Sequence, residues 1–281
     1  MDIFISFILG IIEGITEWLP ISSTGHMILF NQFVQMKQSP EFMDMYLVVI
    51  QLGAILAVVI LFWNQLWPFS AKEQYYIKKD TWVMWFKIVV ACIPAVIVEL
   101  AFGDQLERWF YNYQTVSVML ILVGIVFIVI ENRKKTSGGQ ITEISQISYK
   151  LAFMVGMFQL VAAVFPGTSR SGATIIGGLM LGMSRTLAAE FTFYLAVPVM
   201  FGASFMKLLK FGFAFTTMEA IVLAVGMITA LVVSLLVIRF LMGYIKKHDF
   251  KVFGWYRIIL GALVLVYFAV LAYFDISGCK H

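Results

Sequence analysis

Long stretches without a charged residue constrain this chain more than any other feature. Residues 45–63, 114–130, 220–238 and 258–274 carry no charge, and each is long enough to cross the roughly 30 Å hydrocarbon core of a bilayer as a helix. Residues 82–102 and 191–206 are nearly as apolar, the first broken only by Lys87 and Glu99. Six spans are therefore predicted. Charged residues make up 13% of the chain and hydrophobic ones 61%, against about 25% charged in a typical soluble domain. A soluble fold could not cover that much apolar surface, so an all-α polytopic membrane protein is expected.

Glu13 and Glu17 interrupt the first apolar segment, so a cleavable leader is not expected and the N-terminus should stay attached. Cys92 within a span and Cys279 near the C-terminus make neither a disulfide framework nor a metal-ligand cluster. The net charge of +4 comes from basic residues gathered in particular loops. Lys72, Lys78 and Lys79 fall in one, Arg133, Lys134, Lys135 and Lys150 in a second, and Arg239, Lys246, Lys247 and Lys251 in a third. Those loops read as cytoplasmic, a topology signal rather than a nucleic-acid surface. The other segments hold only Lys37, Arg108, Lys207 with Lys210, and Lys280 in the tail. Both termini should then face outward.

The chain also repeats itself. Gly10, Glu13, Pro20, Ser22 and Ser23 match Gly156, Gln159, Pro166, Thr168 and Ser169 without a gap. After a short slip, Glu41, Phe42, Gly53 and Ala54 match Glu190, Phe191, Gly202 and Ala203. A single membrane domain is expected, with one repeat in residues 1–131, a cytoplasmic linker in 132–149 and a second repeat in 150–281. Each repeat reads as a re-entrant helical hairpin, residues 3–33 or 150–183, followed by three transmembrane helices. An odd number of crossings turns the second repeat over, giving inverted topology. The polar hairpin tips would meet near the midplane, where irregular backbone is tolerated only if it lines a site. Helix N-termini aimed there favour an anion.

The first tip runs from Glu13 to His26. Glu13 and Glu17 are one helical turn apart and repel each other unless a cation lies between them. A divalent metal shared with phosphate oxygens would answer that, as would a neutral, hydrogen-bonded glutamic acid. The second tip, residues 165–174, offers Arg170, whose planar fork suits phosphate oxygens. Thr168, Ser169, Ser171 and Thr174 surround it. An ion-pair partner for Glu13 or Glu17 alone is the other reading of Arg170, but it would leave the nearby Ser and Thr hydroxyls without a purpose. Ser22, Ser23 and Thr24 are apt helix caps, yet Ser23 also lies three residues before His26, a spacing that puts a hydroxyl nucleophile and a base on one side. Other charges read as bland. Arg239, Lys246, Lys247 and Arg257 suit cytoplasmic helix ends, Arg257 beside the interfacial Trp255 and Tyr256. Arg185 should snorkel or neutralise a helix end, Glu41 and Glu190 should mark the start of a span, and Gly138 and Gly139 belong to the linker.

Residues 13–26 together with residues 166–174 closely resemble the bacterial undecaprenyl-diphosphatase, or bacitracin-resistance, family. The likeness runs over nearly the whole chain and includes residues 48–63 and 195–198. It implies a plasma-membrane enzyme that hydrolyses a polyprenyl diphosphate lipid, undecaprenyl diphosphate, to the monophosphate, recycling the carrier of cell-wall synthesis. It also implies a divalent cation, Mg2+ or Ca2+, a site open to the outer face, and a homodimer, for which Gly177, Gly178 and Gly182 would allow close helix contact. Carried over residue by residue, it points to Glu13 and Glu17 at the metal, to Glu17, Ser23, His26 and Arg170 in catalysis, and to Ser169 and Thr174. The neighbouring hydroxyls Ser22, Thr24 and Ser171 join these as expected phosphate contacts. Phe165 stands where the family suggests tryptophan. Ser23 or an activated water would attack phosphorus, with Glu17 or His26 managing protons. A lipid-phosphate transporter or flippase is the alternative, since inverted repeats with broken helices also suit transport, but the later spans are almost wholly apolar. A scaffold held by buried ion pairs would leave the serine-rich tips without a use.

Overall fold

The computed structural model describes residues 1–70, 77–133 and 139–276. Lys72, Lys134, Lys135, Gly138, Cys279 and Lys280, named above, lie outside them. The chain forms α1 (Asp2–Thr16), α2 (Ser23–Phe33), α3 (Pro40–Val49), α4 (Gln51–Leu61), the short α5 (Trp63–Leu66), α6 (Lys79–Phe110) and α7 (Tyr113–Arg133). It continues with α8 (Tyr149–Val164), α9 (Arg170–Met180), α10 (Arg185–Phe211), α11 (Thr217–Ile245) and α12 (Lys251–Ile276). No strand occurs among the described residues, which contain only the isolated bridges Phe69–Ile77 and Ile141–Met183.

Six helices are long and apolar enough to cross a membrane: Pro40–Leu61, Lys79–Gly103, Tyr113–Arg133, Arg185–Phe211, Thr217–Ile245 and Lys251–Leu271. Four of them contain the corresponding apolar runs, while Pro40–Leu61 and Lys251–Leu271 overlap residues 45–63 and 258–274 over most of their length, and several open on polar caps. Ser39 precedes Pro40 and accepts from the Phe42 amide, Ser184 accepts from Leu187, and Thr216 and Glu219 cap each other. Each cap satisfies amide groups that open a helix and have no partner within it. Along α11 the buried stripe is Val222, Gly226, Ala230, Ser234, Ile238 and Leu241, while Ile228, Val232, Leu236 and Phe240 are exposed. Gly226, Ala230 and Ser234 put small residues at the middle of the inner face, where a neighbouring helix can approach closely, while the outer face carries large apolar ones.

Packing partners are remote in sequence. α1 lies chiefly against α11, α8 against α6, and α7 against α12. A Cβ added at Gly10 of α1 would come within 2.7 Å of the Gly226 carbonyl on α11, and one at Gly156 of α8 would collide with the Ala91 carbonyl on α6. The two glycines matched by the sequence repeat thus do the same work, letting one helix backbone touch another. A large apolar core around Trp18, Phe127, Phe193, Tyr194 and Phe250 and a second around Leu9, Phe42, Tyr46 and Val222 fill the interior.

Three expectations need correcting here. Arg185 does not snorkel: its guanidinium donates from Nε and Nη2 to Glu131 at the end of α7, and the same carboxylate accepts from the Phe250 amide. Glu131 is 1% exposed, so bare burial would be costly and three donors offset that cost. One carboxylate thereby joins the end of α7, the start of α10 and the approach to α12. Gly177 and Gly178, proposed for contact between copies, face Phe158 and Ala188 of the same chain. Those two positions are already occupied, whereas Gly182 has open space beside it. Glu41 does open α3, whereas Glu190 lies more than a turn inside α10. Lys87, one of the two charges within residues 82–102, reaches the Ile144 and Ser145 carbonyls and so fastens the segment before α8 to α6.

Candidate active site

Each tip is a short break between two helices, and each ends in the same local device. Ser22 caps α2 and Ser169 caps α9, their hydroxyls accepting from the Gly25 and Gly172 amides. These serines are the two non-glycine residues at positive φ among the described residues, 73° and 68°. Such a conformation costs about 1–3 kcal/mol, so the surroundings must fix it. Ser169 therefore corresponds in structure to Ser22 rather than to Ser23, and the second tip contains one more residue between its proline and its cap. Ser23 and Arg170 become equivalents, each the first residue of its helix.

Those first residues meet on one carboxylate. Ser23 Oγ donates to Glu17 Oε2 at 3.1 Å, and Arg170 Nη2 donates to Glu17 Oε1 at 2.9 Å. Ser171 Oγ donates to the Glu17 carbonyl at 3.1 Å and shares a hydrogen bond with Ser169 Oγ. The side chains of Arg170 and Glu17 are only 14% and 9% exposed, so their attraction is little screened by water. Arg170 Nη1 is held by the Thr192 carbonyl, and Thr192 Oγ1 donates to Thr174 Oγ1, which in turn donates to the Arg170 carbonyl. A hydroxyl, a base and a cationic fork are thus brought together from both tips.

The other expected residues stand further out. His26 does not reach Ser23: Nδ1 lies 2.8 Å from the Ser22 carbonyl and Nε2 lies 2.6 Å from the Tyr256 hydroxyl. Thr24 faces Tyr111 instead. Of the two proton handlers left open by the sequence, Glu17 is the one in contact with Ser23. Glu13 sits one turn earlier on α1, 1% exposed, and its Oε1 has no hydrogen-bond partner among the described residues. No group of three or more His, Cys, Asp or Glu side chains is gathered for a metal among them. Two buried carboxylates nevertheless fit a magnesium-like ion, which is commonly held by one or two carboxylates and completed by substrate phosphate. Glu13 and Glu17 are the residues that could hold it.

Sequence reasoning missed Arg257. Read as an interfacial residue, it is fully buried and donates from Nη1 to the Pro20 carbonyl at 3.2 Å and from Nη2 to the Gly167 and Thr168 carbonyls at 2.7 and 2.9 Å. It ties the two tips together. Its depth was the available signal, since it lies more than a turn beyond the first residue of α12. Thr192 gave no signal, being one hydroxyl in an apolar span.

Residues 6–263 match the profile of a family described as bacitracin resistance protein BacA. The chain belongs to the BacA family. Among its BacA relatives, undecaprenyl-diphosphatase from Desulfitobacterium hafniense is 62% identical over 269 residues, 96% of this chain and 97% of the relative. Undecaprenyl-diphosphatase 1 from Clostridium acetobutylicum is 59% identical over 96% of this chain and 99% of its own. Undecaprenyl-diphosphatase from Enterococcus faecalis is 58% identical over 93% and 95%. Both tips, Thr192 and Arg257 lie inside the BacA match.

Proposed function

We propose that this chain hydrolyses undecaprenyl diphosphate to undecaprenyl phosphate and inorganic phosphate, returning a lipid carrier to cell-wall synthesis and so giving bacitracin resistance. The names of the relatives support the substrate. The observation that carries the chemistry is the Glu17 carboxylate, shared between the Ser23 hydroxyl and the Arg170 guanidinium. Ser23 Oγ attacks the terminal phosphorus while its proton passes to Glu17, and the bond to undecaprenyl phosphate breaks. Glu17 gives that proton up to the departing phosphate. Water then attacks the phosphoserine, losing one proton to Glu17 as the serine–phosphorus bond breaks. Glu17 returns the proton to Ser23 Oγ, and phosphate is free. Arg170 carries the charge on the equatorial oxygens, where most of the catalytic effect in phosphoryl transfer resides. A divalent cation, when bound at Glu13 and Glu17, would neutralise phosphate oxygens.

The same reading gives the chain two inverted repeats and a site entered from the outer face, with both termini outside. The matched serine caps, the matched glycine contacts and the reciprocal pairing of α1 with α11 and α8 with α6 support the repeats. Lys78, Lys79, Arg133, Lys150, Lys246, Lys247 and Lys251 at helix ends support the sidedness. Phosphate release from undecaprenyl diphosphate in detergent, with and without chelator, tests the function. Release that survives in folded Arg170→Ala protein would overturn the two-tip site. Labelling of single cysteines placed in the linker and near the N-terminus of intact cells tests the orientation.

A further inference from the structure

His26 makes two contacts that together fix the tautomer of its neutral ring. The Ser22 carbonyl can only accept a hydrogen bond, so Nδ1, 2.8 Å away, carries a proton. In a neutral ring Nε2 is then a lone pair, and the Tyr256 hydroxyl 2.6 Å away donates to it. The two rings are nearly parallel, 6° apart with centroids at 5.6 Å. Tyr256 precedes Arg257 on α12, and Arg257 grips the Pro20 carbonyl. Consecutive residues of one helix therefore hold the first tip on both sides of its turn, Arg257 directly and Tyr256 through His26. The residue so held, Ser22, is the one at positive φ, and the next residue is Ser23.

We propose that Tyr256 is a positioning residue for the reaction: its phenol locks His26 in the Nδ1–H tautomer, and the imidazole in turn holds the Ser22 carbonyl so that Ser23 stays aimed at Glu17. Only the kinetic consequence rests on the phosphatase reading. His26 then serves as a strut, which accounts for an imidazole placed close to Ser23 in sequence yet bonded elsewhere. Tyr256 is 44% exposed, so exchanging its hydroxyl for hydrogen leaves the packing of the ring and the folding of α12 intact.

The full chain contains three histidines, and changing His248 and His281 to Asn leaves His26 as the one reporter for 15N-histidine spectra in detergent. The expected spectrum is a neutral Nδ1–H ring with Nε2 shifted by an accepted hydrogen bond. Tyr256→Phe should remove that shift and let the Nε2–H tautomer appear. It should also lower kcat by about tenfold and change KM by less than about twofold, the pattern of a misaimed group rather than of weakened binding. Adding Tyr256→Phe to His26→Gln should cost nothing more. An Nε2–H ring in the parent protein, or an unchanged spectrum in Tyr256→Phe, overturns the proposal. A kcat loss that persists undiminished in the His26→Gln background overturns it too, because the phenol would then act on substrate itself. If the parent protein releases no phosphate, the enzyme reading fails while the spectra still decide the role of Tyr256.

Discussion

Arg257→Met removes one side chain and leaves three carbonyls of the two tips without a donor. Hydrogen bonds from a charged group are worth about 1.5–3 kcal/mol each, so the three to Pro20, Gly167 and Thr168 amount to about 5–9 kcal/mol if they simply added. They do not add, and deleting a fully buried guanidinium also relieves a desolvation penalty of several kcal/mol. A net loss of about 3 kcal/mol follows, given about 1–3 kcal/mol for each buried acceptor left without a donor and the relief of that desolvation penalty. Arg257→Lys should fare little better, because one ammonium cannot serve carbonyls on both sides as a planar fork does. Activity should fall further than stability, at least about 100-fold, since the tips then keep less of the registry that places Ser23 and Arg170 on Glu17. Thermal unfolding in detergent and phosphate release from the same preparations measure the two effects. An interfacial arginine would tolerate the change within about 0.5 kcal/mol. Arg257→Met protein with at least half of the parent activity and an unchanged unfolding temperature would refute the tie between the tips.

Glu17→Gln keeps groups able to bond Ser23 but removes the base and the charge, and kcat should fall by about 100-fold to 10,000-fold in a phosphate-release assay. Thr192→Val breaks the link to Thr174 Oγ1 while leaving the backbone carbonyl on Arg170, so a loss of about tenfold in kcat/KM is expected from one buried hydrogen bond. Glu131→Ala should lower stability by about 2 kcal/mol, because Arg185 and the Phe250 amide lose their acceptor, with kcat close to that of the parent measured below the unfolding temperature. Chelation should abolish phosphate release and added Mg2+ or Ca2+ should restore it, with Glu13→Gln raising the cation concentration needed for half-maximal rate.

The helices were legible because uncharged length is a direct consequence of bilayer thickness, and the six spans lie where that argument put them. The tips were legible for a different reason: Glu, Arg, Ser and Thr surrounded by apolar sequence have few bland uses. Sequence spacing misled where the backbone leaves a regular path. The three-residue interval from Ser23 to His26 suggests one face of a helix, yet the imidazole turns back to the Ser22 carbonyl and outward to Tyr256. Arg257 and Arg185 carried the same flanking signal as ordinary interfacial residues, and only their partners remote in sequence, Pro20 with Thr168 on the two tips and Glu131 on α7, separate them from that class. Partners brought in by tertiary contact leave no local pattern to read.

The pairing of α1 with α11 bears on how the protein is made. Thr16 leaves the ribosome long before Thr217, so the first helix enters the bilayer with its closest neighbour still unsynthesised. Glu13 and Glu17 must meanwhile wait without Arg170, and the Pro20 carbonyl without Arg257. Assembly of the site is consequently one of the last events in biogenesis: a chain truncated before α9 lacks the arginine that pairs with Glu17, and one truncated before α12 lacks the donor that ties the two tips. Long-range pairing of this kind slows folding and makes the unfinished chain a natural client for insertion factors or membrane proteases.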